Sequence, residues 1–296
     1  MKKILLSFIS ILVLSVGVFA QEDVVTNDAG SKTAIVNKKG EAILPVAGDI
    51  AIGMDMVPFM NYLGNFSNNT VDNSYNSNGF LKGSQTLMLK YFLQDEMALR
   101  VIVKGEKYNY TDNRYVADDA AIYADPLNAD AKTTDQRFTK GSAYTLGIGI
   151  EKHRSKGRLV GIYGAEAFVS TIKRNYEYSY GNSFSEINQN PTFFDFNTNS
   201  ETSGTRRIIK EDGIKGIGYG AELFLGVEYF FMPNICLGSE LTWGTSFDRS
   251  SQITHEDEYW NGSSVQNQKV LDGPGNTSLN LGMTNPSISL YLMFHF

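Results

Sequence analysis

Cysteine is nearly missing from this chain of 296 residues: there is one, Cys236. A lone cysteine excludes an intramolecular disulfide framework. None directly follows the apolar run at the N-terminus, which removes a lipid-anchored start. Proline is also scarce, at 7, and histidine scarcer, at 3. Positive charge is the minor sign, with 26 Lys and Arg against 32 Asp and Glu. That balance, with no basic arm, argues against nucleic acid as a partner. Beyond the first twenty residues no apolar stretch approaches the roughly 18 residues of a spanning helix. Any membrane crossing must therefore be made by strands.

What is present favours sheet. The chain carries 28 Gly, 16 Tyr and 18 Phe, a mixture better suited to strands than helices. It opens "MKK", continues "ILLSFISILVLSVGVFA" and turns polar at "QEDVVTNDAG", the three-part layout of a secretory signal peptide with Ala20 at the cut. A retained anchor is the competing reading, at the short limit of length for a spanning helix. Without Lys2 and Lys3 the net charge moves from −6 to about −8. The expected division is signal peptide 1–20, leader 21–47 and a main β-domain 48–296.

Within that domain, apolar and polar residues alternate in eight segments, joined by connections that are short and long in turn. The first, "GDIAIGMDM", sets Ile50, Ile52, Met54 and Met56 against Asp49, Ala51, Gly53 and Asp55, and Pro58 suggests a bulge or rim beyond it. The second, "TLMLKYFL", meets the third, "MALRVIVKGEKYNY", across "QDE". The fourth is "AYTLGIGIE" and the fifth "LVGIYGAEAFVSTI". The sixth, "GYGAELFLGVEYF", is the most regular. The seventh is "ICLGSELTWG" and the eighth "SISLYLMFHF". Short turns are expected at "QDE", "KHRSKGR" and "MPN". Long loops are expected at "FSNNTVDNSYNSNG", 111–140, 173–213 and 250–285.

One face of these segments is almost free of charge. The other mixes charges with Gly, Ser and Thr. A barrel in water hydrates its outer face, whereas a barrel in lipid inverts the pattern, apolar outside and polar inside. Soluble eight-stranded barrels of the lipocalin type are the alternative. Tyr91, Tyr163, Tyr219, Tyr229 and Trp243 fall near segment ends, as interfacial girdles would.

The stretch "NKKGEAILPVAGDIAIGMDMVPFMNYLGN", the eight-segment rhythm and the terminal phenylalanine together resemble the small outer-membrane β-barrel proteins of Gram-negative bacteria, of the OmpX and OmpA type. The resemblance spans residues 48–296. It implies an eight-stranded antiparallel transmembrane up-and-down barrel in the outer membrane, with both termini in the periplasm. It further implies that Phe296, Phe294, Leu292 and Leu290 form the C-terminal signal read by the barrel-assembly machinery. The periplasmic peptidoglycan-binding domain of the OmpA type is not expected.

Inside such a barrel Asp49, Asp55, Glu106, Glu151, Glu166, Glu222, Glu228 and Glu240 would meet Lys90, Arg100 and Lys104. Eight strands leave an interior only wide enough for side chains. A salt-bridge network and a cation-conducting water path are the two readings. If Leu93 pairs with Met97, Lys90 faces Arg100, a repulsive pair that needs a carboxylate such as Glu151 or Glu106 beside it. No catalytic constellation surrounds His153 in its turn, His255 in its loop or His295. His255 with Asp257 and Glu258 is a metal site only if "THEDEYW" is more than a solvated loop.

The expectations are therefore a non-enzymatic protein without cofactor, and outer-membrane lipid as its medium. A structural or surface-binding role would be played through loops that meet an extracellular ligand or host surface. A narrow channel is the alternative. Tyr176, Tyr178, Tyr180, Phe193, Phe194 and Phe196 mark the third loop, either as a sheet rising above the membrane or as an upper girdle. The leader would tuck against the barrel mouth or stay free.

Overall fold

A computed structural model describes residues 24–25, 35–37, 39–56 and 85–296. The signal peptide, the bulge at Pro58 and the first long loop fall outside the described residues. So do the side chains of residues 281–289 within the last strand.

The chain is all-β and antiparallel. Among the described residues there is one helix, α1 (Asp119–Ala124), capped by the Asp118 carboxylate on the backbone N–H of Ala121. Two short strands, β1 (Val24–Val25) and β2 (Ile35–Val36), pair within the leader. Eight strands carry the architecture: β3 (Ile50–Asp55), β4 (Gln85–Gln94), β5 (Met97–Ala117), β6 (Lys132–Lys156), β7 (Leu159–Ser179), β10 (Arg206–Met232), β11 (Ile235–Ser250) and β14 (Thr277–His295). Each pairs with the next in that order, and β14 pairs back on β3, so the pairings form a ring. Ile50 and Phe296 exchange two backbone hydrogen bonds where first strand meets last.

The turns are read from the local sequence. Lys156 pairs with Leu159 across a two-residue turn in which Gly157 takes φ +61°, where a Cβ would be strained. Met232 pairs with Ile235 across Pro233 and Asn234. Proline presets the first central position, and Asn234 tolerates φ 63° at the second. These turns lie at one end of the ring, the turn end, with the start of β3 and the finish of β14. Opposite is the loop end.

Strand lengths correct the sequence reading. The loop expected over 111–140 is mostly strand: β5 and β6 stay paired from Met97↔Lys152 to Ala117↔Lys132. The loop expected over 173–213 shrinks, because β7 runs to Ser179 and β10 starts at Arg206; between them lies the hairpin of β8 (Thr192–Asp195) and β9 (Ser200–Ser203). The loop expected over 250–285 folds as the hairpin of β12 (Ile253–Trp260) and β13 (Val265–Gly273), and β12 pairs with the early residues of β10. "KHRSKGR" is not a loose turn either, since β6 continues through it to Lys156. From the leader, Ile43 is fully buried against the turn end of the ring, in one cluster with Phe92, Phe230 and Met293.

Strand alternation decides what each face meets. Inward lie Ala51, Met88, Ile102, Ile162 and Phe224, together with buried charged residues. Outward lies an apolar belt left bare: Ile50, Ile52, Met54, Leu87, Tyr91, Tyr144, Leu146, Ile148, Ile150, Tyr163, Val169, Leu223, Leu225 and Val227 are all exposed, Leu223 at 62%. Interior glycines are close-approach positions. A Cβ at Gly238 would sit 2.2 Å from the Tyr291 ring, and one at Gly164 2.5 Å from Phe224.

Candidate functional site: a sealed charged interior

Lys90 on β4 lies opposite Arg100 on β5. The expected route to that pairing was Leu93 against Met97. Instead Gln94 pairs with Met97, and an irregularity between Phe92 and Gln94 restores the register. The two cations therefore point side by side into the ring, where repulsion would drive them apart without acids between them.

Four glutamates surround them. Glu151 on β6 bonds the Lys90 ammonium through Oε1 and lies 3.4 Å from Arg100 through Oε2. Glu228 on β10 accepts from Lys90 Nζ at 2.6 Å and from the Tyr291 hydroxyl at 2.8 Å, both on Oε1. Glu240 on β11 receives both terminal nitrogens of Arg100, one at 2.8 Å, in the forked geometry that suits guanidinium to carboxylate. Glu166 on β7 stands 3.1 Å from Arg100 Nε. Phe224 lies flat beneath the same guanidinium, 4.2 Å from its centre. All six charged side chains are buried, Glu151 and Glu228 completely.

Of the other residues expected in this network, Glu222 joins it through a hydrogen bond with Glu166. Glu106 is not among the partners of the basic pair and is only half-buried. Lys104, Asp55 and Glu222 line a small cavity on the loop side of Arg100, shared with Glu240 and Tyr291. Asp49 turns away to accept the backbone N–H of Val46 at 2.9 Å. His153, expected in a turn, lies on β6 facing inward, 2.8 Å from Glu151. On the turn side, His295 and Cys236 lie inside the ring with Nε2 and Sγ 3.6 Å apart. Phe294, Leu292 and Leu290 take the outward face of β14, and Phe296 is exposed beyond them.

A second buried cluster occupies the loop end. Arg207 on β10 is held between the rings of Tyr180 at 4.3 Å and Phe184 at 4.9 Å, and donates to Glu258 at 2.6 Å. Arg137 lies over Phe196 and Tyr176. Asp135 accepts the backbone N–H groups of Gly181 and Phe194, tying the third loop down at 2.9 and 2.7 Å. Burial raises its carboxyl above the ordinary range, and those two bonds pull part of the way back. The third-loop aromatics thus make a core above the ring. No sequence signal marked Asp135 or Arg207, because they lie in stretches without a clear apolar face.

The sequence reads "THEDEYW" as a solvated loop rather than a metal site at His255, Asp257 and Glu258; it is strand β12, and its charged residues have other partners. Glu258 belongs to Arg207, while His255 bridges Asp257 at 3.2 Å and Asp272 on the neighbouring strand. Burial alone would lower the His255 pKa, but the two carboxylates outweigh it and raise it.

No protein-family profile matches the chain, and no curated protein matches it. Among solved structures, the outer membrane protein OprG from Pseudomonas aeruginosa is similar at 8% identity and a TM-score of 0.31, over 86% of this chain and 98% of that one. A major outer membrane protein from Thermus thermophilus is similar at 12% and 0.32, over 84% and 98%. Likeness at that level carries no inference about what this chain does.

Proposed function

We propose that the chain is an integral outer-membrane β-barrel of eight strands, exported by its N-terminal signal, which serves as a non-conducting scaffold. On this reading the wall at its loop end presents a binding surface outside the cell. The carrying observation is the bare apolar belt around a charged interior, the reverse of what water selects. On β10 the outward series Ile217, Tyr219, Ala221, Leu223, Leu225, Val227 and Tyr229 covers twelve residue steps. At about 3.3 Å per step and a tilt of about 45°, that is about 28 Å, close to a hydrocarbon core of about 30 Å.

An orientation goes with this reading. Turns and termini would face the periplasm, and α1, the β8–β9 hairpin and the β12–β13 hairpin would stand outside. Burial of the charges favours scaffold over channel: Lys90, Arg100 and the glutamates fill the cross-section at their level with little exposure to solvent. Enzymatic chemistry has no support in these clusters.

The test has two steps. The purified protein should stay folded only in detergent or lipid and migrate differently on a gel before and after boiling; a folded, detergent-free monomer would end the membrane reading. In planar bilayers it should then be silent, and steady cation-selective steps would replace the scaffold with a pore.

A further inference from the structure

On the turn side of the Lys90–Arg100 network, three potential ligands of different chemistry converge on one point. Glu228, Cys236 and His295 each offer a donor atom, and the three atoms lie within 4.8 Å of one another. They come from three strands, β10, β11 and β14, and all are buried.

The detail of each donor points the same way. Glu228 Oε1 is already occupied by the Lys90 ammonium and the Tyr291 hydroxyl, whereas Oε2 is buried with no hydrogen-bond partner among the described residues. An unpaired carboxylate oxygen away from water is costly unless something cationic meets it. His295 turns Nε2 to Cys236 Sγ at 3.6 Å. A thiolate at about 2.3 Å and an imidazole nitrogen at about 2.0 Å from one tetrahedral ion stand about 3.5 Å apart.

Charge agrees with geometry. Nearest this point the two cations Lys90 and Arg100 face the carboxylates of Glu151, Glu228 and Glu240, a formal excess of one negative charge. A dication that displaces the thiol proton adds one net positive charge. The walls are aromatic, with Phe92 and Phe230 packed 5.6 and 5.1 Å from the His295 ring, and Lys90 and Tyr291 hold the Glu228 carboxylate in place.

We infer that Glu228, Cys236 and His295 form a transition-metal site of zinc type at the floor of the ring, taking Zn²⁺ as the chain folds, with water in the fourth position. A thiolate, an imidazole and a carboxylate suit Zn²⁺ or Co²⁺ and not Ca²⁺ or Mg²⁺. The site stands on interior geometry and does not depend on what the belt or the loops touch.

The test refolds the full chain in detergent with Zn²⁺ or Co²⁺, desalts it, and measures metal content and the cobalt absorption spectrum. The expected result is one metal per folded chain, with a thiolate-to-cobalt charge-transfer band. Cys236 is the sole cysteine, so such a band can arise from no other residue and needs no variant to interpret. Cys236→Ser should abolish the band, and His295→Gln should lower metal content by at least about tenfold, the low end of what even supporting partners contribute. His255→Gln, in the loop-end wall, should change neither. Folded wild-type protein without bound metal, or bound cobalt without the charge-transfer band, would overturn the site. Metal content that follows His255 would overturn it as well.

Discussion

Two parts of this molecule bury cations, and they do so by opposite means. Inside the ring, Lys90 and Arg100 are neutralised by carboxylates, with one aromatic face beneath Arg100. At the loop end, Arg207 and Arg137 are gripped mainly by rings, with a single short carboxylate bond, Arg207 to Glu258. The difference follows from the surroundings. Lys90 and Arg100 have essentially no solvent contact, and a charge there must meet full counter-charge. Arg137 keeps 24% of its side chain exposed and has Asp112 at 3.5 Å, so part of its desolvation cost is avoided, whereas Arg207 is buried and combines the Glu258 carboxylate with the faces of Tyr180 and Phe184.

The largest effect should come from removing the acid shared by both inner cations. Glu151→Ala leaves Lys90 and Arg100 opposed with a missing partner, and breaking such a buried pair costs about 3–5 kcal/mol. Urea unfolding in detergent, followed by loss of the unboiled gel shift, reads it. Loss of less than about 1 kcal/mol would mean that water has access to the network. The combined change Lys90→Met with Glu151→Leu should recover much of the loss, since it removes charges in pairs.

Next in size is Gly238→Ala. The added Cβ meets the Tyr291 ring and pushes its hydroxyl off Glu228, an overpacking cost of about 1–3 kcal/mol. Gly161 is the contrast: an added Cβ there would come no nearer than 3.7 Å to its closest neighbour, so it should accept alanine with little change.

Arg207→Leu tests the loop end alone. It frees Glu258 and empties the slot between Tyr180 and Phe184, so protease cleavage within residues 180–205 should accelerate while the gel shift of the ring is unchanged. Equal loss of both would join two regions that the contacts keep separate.

The smallest effect is one of pH. The His255 pKa is raised in the folded chain, so its stabilisation is full below the unfolded value of about 6.5 and fades as pH climbs through the folded value. Amide hydrogens of the β12–β13 hairpin should exchange faster, relative to their intrinsic rates, above that window than below it. His255→Asn should flatten the dependence. Asp257 also contacts Arg206 at 3.3 Å, which limits the amplitude.

The alternation around Leu223, Leu225 and Val227, or Ile148 and Ile150, was legible because one face of each strand is apolar and the other is not. The upward continuations of β5, β6 and β7 were illegible for the converse reason. "TDNRYVA" and "KTTDQRFTKGS" are polar on both faces, and their pairing rests on backbone hydrogen bonds that any side chain permits. Register alone pairs Lys90 with Arg100 and calls for a carboxylate beside them, Glu151 or Glu106. Glu106 was an equal candidate and lies elsewhere, since which of two acids points across a ring depends on strands not adjacent in sequence.

By itself, then, the sequence determined the strand class, the charge-free face, the short turns at Gly157 and Pro233–Asn234, and the inward position of Lys90, Arg100, Glu151, Glu166, Glu228 and Glu240. These are local consequences of side-chain period and backbone dihedral. Only the tertiary structure decided which charges meet, because Lys90 and Glu228 are 138 residues apart and share a bond only once the ring closes. Pairing of β11 with β14, Cys236 opposite Met293, brings Cys236 within 3.6 Å of His295, across 59 residues. Contacts of that range are set by register summed around the ring, and no stretch of the chain carries that sum.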